Sequence, residues 1–324
     1  MTLSLRPGSR ATARDSTATV ADRRPAGLTV PAGRQGGGLV PSALVDALDL
    51  AFVRRAGGVL SGEHRGAGVG TGTELAQLRP YQPGDDVRQL DPSATARTGI
   101  PHVREHVPER MLTVWLAADL SPSMAFGTAD RLKSDVVEGV VDVVGTLAVR
   151  RGGKVGMLTF GAPVTRLLPP RGGRGARVGL HRALAEGVAA DGARGEPLSA
   201  TVRRIGRLAR VASLVVIVSD FGDPPDDWAR PLAALAARHT LLALEIRDPR
   251  EDALPEVGRV AMVDPETGGR VEVDTRSRRL RESFAAAAAE KRAGVARALR
   301  RAGAEHVVLS TEGSWARALG RGLR

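Results

Sequence analysis

The chain is expected to fold as an α/β protein: a doubly wound, mostly parallel sheet preceded by an N-terminal helix and an irregular segment. Three observations carry this. Apolar, β-branched runs recur at 112–119, 154–160, 212–219, 240–246 and 305–310, each short enough to be a strand and continuous enough to be buried on both faces. Helical periodicity fills the intervals between most of them. Two of the runs end in a carboxylate, Asp119 and Asp220, at the strand ends where open α/β sheets bind ligands.

In chain order, residues 1–37 are rich in Arg, Ala, Ser, Thr, Pro and Gly without an apolar period, which predicts a disordered basic tail. Residues 38–110 form a second region. It opens on an amphipathic helix from Pro41, marked by Leu44, Leu48, Ala51 and Phe52, and continues through a Gly-rich stretch, 57–72, that cannot be regular structure. Residues 111–324 read as the α/β domain: strand 112–119, helix 129–150, strand 154–160, a short strand 163–168, helices within 174–188 and 197–210, strand 212–219, helix 226–238, strand 240–246, helix 278–302, strand 305–310 and helix 313–321.

The first buried strand runs into Asp119-Leu-Ser121-Pro-Ser123-Met124. A carboxylate and two hydroxyls on one tight loop are hard oxygen donors suited to Mg²⁺ or Mn²⁺, as in a metal-ion-dependent adhesion site. The same residues are also good helix caps and need no metal for that role. Asp220 weighs towards the metal, because parallel strands place their carboxyl ends side by side across one crevice.

Composition narrows the function classes. The chain has 324 residues, 42% of them apolar, enough for a sizeable core, and with 3% aromatics that core must be filled by Val, Leu and Ala. No window is apolar enough to span a membrane and no signal-peptide order opens the sequence, so a cytoplasmic protein is expected. There are no cysteines, which excludes disulfides and thiolate chemistry. The net charge of +11 is concentrated in arginines such as those between Arg276 and Arg301, without the interleaved aromatics of a single-strand binder, so an acidic protein partner fits better than nucleic acid. The Gly-rich stretches lack P-loop and dinucleotide spacing. Ser121 and Ser123 lack a neighbouring histidine base, and His102 and His106 read as one face of an edge strand.

Residues 74–97 are dense in charge of both signs. Arg79, Asp85, Asp86, Arg88, Asp91 and Arg97 surround a Pro83-Gly84-Asp85 turn and predict an ion-paired scaffold or a docking surface rather than a catalytic pair.

Arg79-Pro-Tyr-Gln-Pro-Gly-Asp-Asp-Val-Arg88, Ala96-Arg97, Glu109-Arg110, Asp119-Leu-Ser-Pro-Ser-Met124, Val218-Ser-Asp-Phe221 and Asp264-Pro-Glu-Thr-Gly268 resemble, in that order, the motifs of the bacterial domain of unknown function 58 family. The resemblance covers roughly residues 55–310 and implies a von Willebrand factor A-like fold, often encoded beside MoxR-type AAA+ ATPases and serving as a binding module in chaperone-like assemblies. Two departures stand out. Asp91 is followed by Pro92 where the family usually has Trp. The loop expected to supply a Thr hydroxyl to the metal reads Gly172-Gly-Arg174-Gly-Ala-Arg177, whose arginines could instead place a fixed cation beside the carboxylates.

The expected function is therefore a protein-interaction module. Asp119, Ser121, Ser123 and Asp220 would hold Mg²⁺ or Mn²⁺ for the acidic residue of a MoxR-type ATPase or another acidic partner. The rival is a metal-dependent phosphoesterase using the same carboxylates, against which stands the lack of a second ligand set and of a general base.

Overall fold

The computed structural model describes residues 4–6, 34–38, 40–49, 74–107, 112–150 and 152–323. The chain divides into two compact units, residues 65–111 and the remainder. Most of the expected tail, and the Gly-rich stretch 57–72, lie outside the described residues. Within the tail, β1 (Ser4–Arg6) is a short strand. The expected boundary at residue 37 differs from what is found: Arg34 donates to the buried Asp135 at 2.8 Å, Gln35 accepts from Arg131 at 3.0 Å, and the Gly37 carbonyl accepts from Trp315 at 3.0 Å. A sequence without apolar period can still be tied down by polar contacts, which periodicity does not register. The helix expected after Pro41 is α1 (residues 42–49), which buries Val45 and Leu48 one turn apart.

In the small unit, the segment expected to be irregular is a hairpin carrying a helix. Strand β2 (Glu74–Pro80), helix α2 (Pro92–Thr98) and strand β3 (His102–Val107) follow in order, with β2 and β3 antiparallel. The carboxylates organise the connection. Asp85 accepts two 2.7 Å bonds from the Arg79 guanidinium, and Asp86 accepts from the Arg88 backbone N–H at 3.0 Å. Asp91 accepts from the Ala94 N–H at 2.7 Å as the N-cap of α2. Pro92 then sits in the first turn, where its missing N–H costs nothing, so the Asp-Pro departure starts a helix. Asp86, Arg88 and Arg97 are exposed.

The large unit holds the expected α/β domain. In chain order it contains β4 (Thr113–Asp119), α3 (Lys133–Arg150), β5 (Lys154–Phe160), β6 (Leu167–Arg171), α4 (Gly173–Leu184), α5 (Leu198–Leu208), β7 (Leu214–Ser219) and α6 (Pro225–Ala236). It continues with β8 (Thr240–Arg247), β9 (Arg259–Val263), β10 (Arg270–Asp274), α7 (Arg278–Arg301), β11 (Glu305–Ser310) and α8 (Trp315–Gly322). The main sheet has six strands in the order β11-β8-β7-β4-β5-β6, all parallel except β6, an edge strand antiparallel to β5. Pro169 and Pro170 fit β6 because an edge strand need not donate on its outer side.

Strand alternation builds two cores. Val114, Leu116 and Ala118 of β4 face α1, α3, α4 and α8, while Trp115 and Ala117 face α5, α6 and α7. Helix α3 is rich in valine, a modest helix former, yet Val136, Val137, Val140, Val141, Val143 and Val144 are all buried. Burial at roughly 1.5–3 kcal/mol per large apolar side chain outweighs propensity differences of a few tenths.

Three boundaries differ from the sequence reading. Helix α3 starts at Lys133 rather than 129, because the Thr128 N–H and hydroxyl both donate to Asp248, at 2.7 and 2.6 Å, and hold the preceding residues as a loop. Strand β6 lies later than expected. The interval before α7 holds an unexpected antiparallel hairpin, β9–β10, to which β1 adds as a third strand.

Candidate functional site

Strand pairing decides what meets at the carboxyl edge of the sheet. β4 and β7 are parallel neighbours with Ala118 opposite Val218, so the residues following each pair emerge together. Asp119 is buried, and its Oδ2 accepts from the Ser219 hydroxyl at 2.5 Å while its Oδ1 accepts from the Ser121 N–H at 2.9 Å. The loop then turns through a 3-10 segment, Pro122–Ala125, leaving the Ser121 and Ser123 hydroxyls buried and 3.1 Å apart. Asp220 follows Ser219. Its Oδ1 accepts from the Gly222 N–H at 3.0 Å, across Phe221, which adopts a left-handed φ of 50°. That strain is held by the core, where the Phe221 ring packs on Trp228 with centroids 5.4 Å apart. Asp119, Ser121, Ser123 and Asp220 thus line one crevice of about 510 Å³.

Other residues shape the crevice: Glu266 falls in a motif the sequence marks, whereas Gly161, Lys133, Arg194, Glu196 and Asp223 do not. Gly161, with φ 77°, ends β5 so close to the loop that a Cβ there would lie 2.7 Å from the Asp119 carboxylate and from Ser121. Lys133, wholly buried at the start of α3, donates to Asp220 Oδ2 at 2.6 Å and to Glu251 Oε1 at 2.7 Å. Arg194, Glu196, Asp223 and Glu266 also line the walls. The N–H of Ser123 donates to Glu266 Oε1 at 3.1 Å.

The electrostatics follow from this crowding. Burial, reinforced by the charge of Asp220, pushes the Asp119 carboxyl up to about 7. Burial pushes Asp220 up as well, but the Lys133 ammonium more than offsets it and the net shift is down. Burial raises Glu266 and Asp223, each further raised by Asp220. The crevice is therefore an excess of carboxylates around one buried ammonium.

The arginines expected to replace the metal lie elsewhere. Because β6 runs antiparallel, Arg171 pairs with Val155 at the start of β5, so the Gly172–Arg177 loop opens α4 at the opposite edge of the sheet from Asp119. Arg174 is exposed there, and Arg177 donates to Asp142 at 2.8 Å. The loop that does face the crevice is Arg194-Gly-Glu-Pro-Leu198, just before α5, and it carries no hydroxyl. The fixed cation beside the carboxylates is Lys133.

The family model described as protein of unknown function DUF58 matches residues 77–294. The chain belongs to the DUF58 family. An uncharacterized protein of Mycobacterium tuberculosis is 40% identical over 276 residues, 85% of this chain and 86% of that one. A Paracoccus denitrificans protein named for its position in the moxR 3' region is 43% identical over 94 residues, 29% of this chain and 84% of that one. Among solved structures, BatB from Bacteroides thetaiotaomicron aligns at 15% identity and a TM-score of 0.43, covering 65% of this DUF58 chain and 96% of its own. The SpRpn10 VWA domain aligns at 11% identity and 0.37, covering 65% and 94%. The described residues of this DUF58 chain form a mostly parallel six-stranded sheet with helices on both faces. Among its described residues no helix is long and apolar enough to cross a membrane.

Proposed function

We propose that this DUF58 protein is an interaction module that docks a protein partner at the Asp119–Asp220 crevice through a divalent cation, and that the partner is a MoxR-type AAA+ ATPase. The observation that carries the reading is the pair of buried hydroxyls of Ser121 and Ser123, 3.1 Å apart, with Asp119 and Asp220 beside them. That spacing matches the edge of an oxygen octahedron about an ion with bonds of about 2.1 Å, whose adjacent ligands lie about 3 Å apart. The donor set fits Mg²⁺ or Mn²⁺: the serines as neutral ligands, and Asp119 and Asp220 as the charges behind them. A bound cation would supply a positive field and an exchangeable position for a partner's carboxylate.

The chain's own residues prepare that position. Ser219 and the Ser121 N–H orient Asp119, and Gly161 allows β5 to approach it. Lys133 fixes Asp220 and offsets one carboxylate charge, which sets the expected affinity in the millimolar range rather than tighter. The name of the Paracoccus relative, which places it beside moxR, supports the choice of partner.

The test is thermal unfolding with Mn²⁺, together with capture of the purified ATPase. At tenfold excess over Kd, Mn²⁺ should add about 1.4 kcal/mol of stability, and Asp119→Ala should abolish both the gain and the capture. A flat response to Mn²⁺, with capture that survives chelation, overturns the cation and leaves Arg194, which lines the crevice, as the positive charge open to a partner. Capture that also survives Asp119→Ala removes the crevice as the docking site.

A further inference from the structure

The hairpin between β9 and β10 brings a carboxylate of the same chain to the place reserved for a partner. Its tip is a rigid turn built on Asp264. The Asp264 carboxylate accepts from the Glu266 N–H at 3.1 Å and from the Thr267 hydroxyl at 2.8 Å, and its carbonyl accepts from the Gly268 N–H at 2.8 Å. The Gly192 N–H donates to the Pro265 carbonyl at 2.8 Å and ties the turn to the α/β domain. So held, Glu266 points its Oε1 at the Ser123 N–H, 3.1 Å away, inside the crevice.

We propose that Glu266 is the crevice's internal ligand: its carboxylate completes the cation's donor set in place of the missing loop hydroxyl, and a partner's acidic side chain docks by displacing it. This rests on the reading of the crevice as a cation-centred docking site.

Three features select Glu266 for that role. The loop before α5 lines the crevice with Arg194, Gly195, Glu196 and Pro197, none of which carries a hydroxyl. Glu266 stands instead among like charges, Asp220 and Asp223, an arrangement that a cation between them relieves. The hairpin also belongs to a separate three-stranded sheet with its own small core of Leu254, Val260 and Met262, so lifting its tip leaves both main cores intact. The occupant it admits is then an acidic side chain on a protruding loop, able to reach the same atoms once the tip moves.

The experiment is calorimetric titration of Mn²⁺ into the wild type, Glu266→Ala, Glu266→Gln and Ser123→Ala. Glu266→Ala should weaken Mn²⁺ binding about tenfold. Excess acetate should restore binding in that variant, by entering the vacated place, and leave the wild type unchanged. Glu266→Gln keeps an acceptor for the Ser123 N–H, so its own loss of affinity separates the missing charge from a disturbed fold. Normal Mn²⁺ affinity in both Glu266 variants, with a loss in Ser123→Ala, keeps the cation site and overturns the internal ligand. Weakened binding in Glu266→Ala that acetate does not restore overturns the exchange with a partner's carboxylate. Absence of Mn²⁺ binding in the wild type overturns both readings.

Discussion

Two charge-rich motifs of this protein look alike in sequence and are opposite in physics. In the hairpin of residues 74–107, each of the carboxylates Asp85, Asp86 and Asp91 is satisfied locally, by a guanidinium six residues away or by backbone N–H groups two and three residues on. In the crevice, Asp119 and Asp220 each accept a backbone N–H two residues on as well, but their second oxygens find side-chain partners about a hundred residues distant or on another element, Ser219 for one and Lys133 for the other. The first motif uses charge to shape its own turn. The second sets Asp119, whose charge burial and Asp220 oppose, beside Asp220, whose charge the Lys133 ammonium favours.

The largest test of that difference is Lys133. Replacing it by Met leaves Asp220 and the part-exposed Glu251 without their wholly buried ammonium, and since breaking a fully buried pair on one side costs about 3–5 kcal/mol, the lower end of that range is expected. Urea unfolding should show a loss of that size. A loss under about 1 kcal/mol would mean that water already screens these carboxylates, and the contrast with the hairpin would collapse.

Gly161→Ala comes next. The new methyl would sit 2.7 Å from the Asp119 carboxylate at a residue with φ 77°, so both contact and backbone oppose it. The expected cost is about 1–3 kcal/mol, accompanied by loss of the Mn²⁺ response. Retained stability with lost Mn²⁺ binding would sharpen the comparison, since it would show that the close approach serves the site alone.

For the hairpin the test is pH. Its Arg79 partner and the Gln82 N–H hold Asp85 down at about 2. A carboxyl depressed on folding contributes stability that is present above its unfolded value of about 3.9 and is lost as pH falls through about 2. The Asp85 carboxyl resonance should therefore titrate near about 2 and move up into the ordinary range in Arg79→Ala. An unchanged midpoint would show that the backbone N–H, rather than the guanidinium, organises the turn.

The fold was legible because burial on both faces leaves a direct trace: continuous apolar runs such as Val215–Val218 cannot be much else. The core of the site was legible for a related reason, since Asp119 and Asp220 each terminate such a run and parallel neighbours end together. What escaped was set by chain direction and by single polar contacts. Nothing in the composition of Leu167–Arg171 announces an antiparallel strand, yet that reversal alone sends the following Gly-rich loop to the wrong edge. Lys133 reads as an ordinary helix-start lysine until the fold places two carboxylates around it. The hairpin of β9 and β10 did leave a signal: an apolar run, Val260–Val263, precedes the Asp264-Pro-Glu-Thr-Gly268 turn, and after it Val271 and Val273 alternate with Arg270, Glu272 and Asp274.

The smallest expected effect tests that reversal. Arg177 and Asp142 form an ion pair with both side chains about two-fifths exposed, a setting in which water screens most of the attraction and such pairs contribute about 0–1 kcal/mol. Arg177→Ala should therefore change stability by less than about 1 kcal/mol. It should also leave Mn²⁺ binding and ATPase capture at their wild-type values, because Arg171, six residues earlier, pairs with the start of β5 while Asp119 pairs with Phe160 at its end. Five steps of about 3.3 Å separate Val155 from Phe160 along the strand, and a single charge acting over that distance through solvent is screened beyond one Debye length. Loss of Mn²⁺ binding in Arg177→Ala would require the α4 loop to reach the crevice, and would return the fixed positive charge to the loop and take it from Lys133.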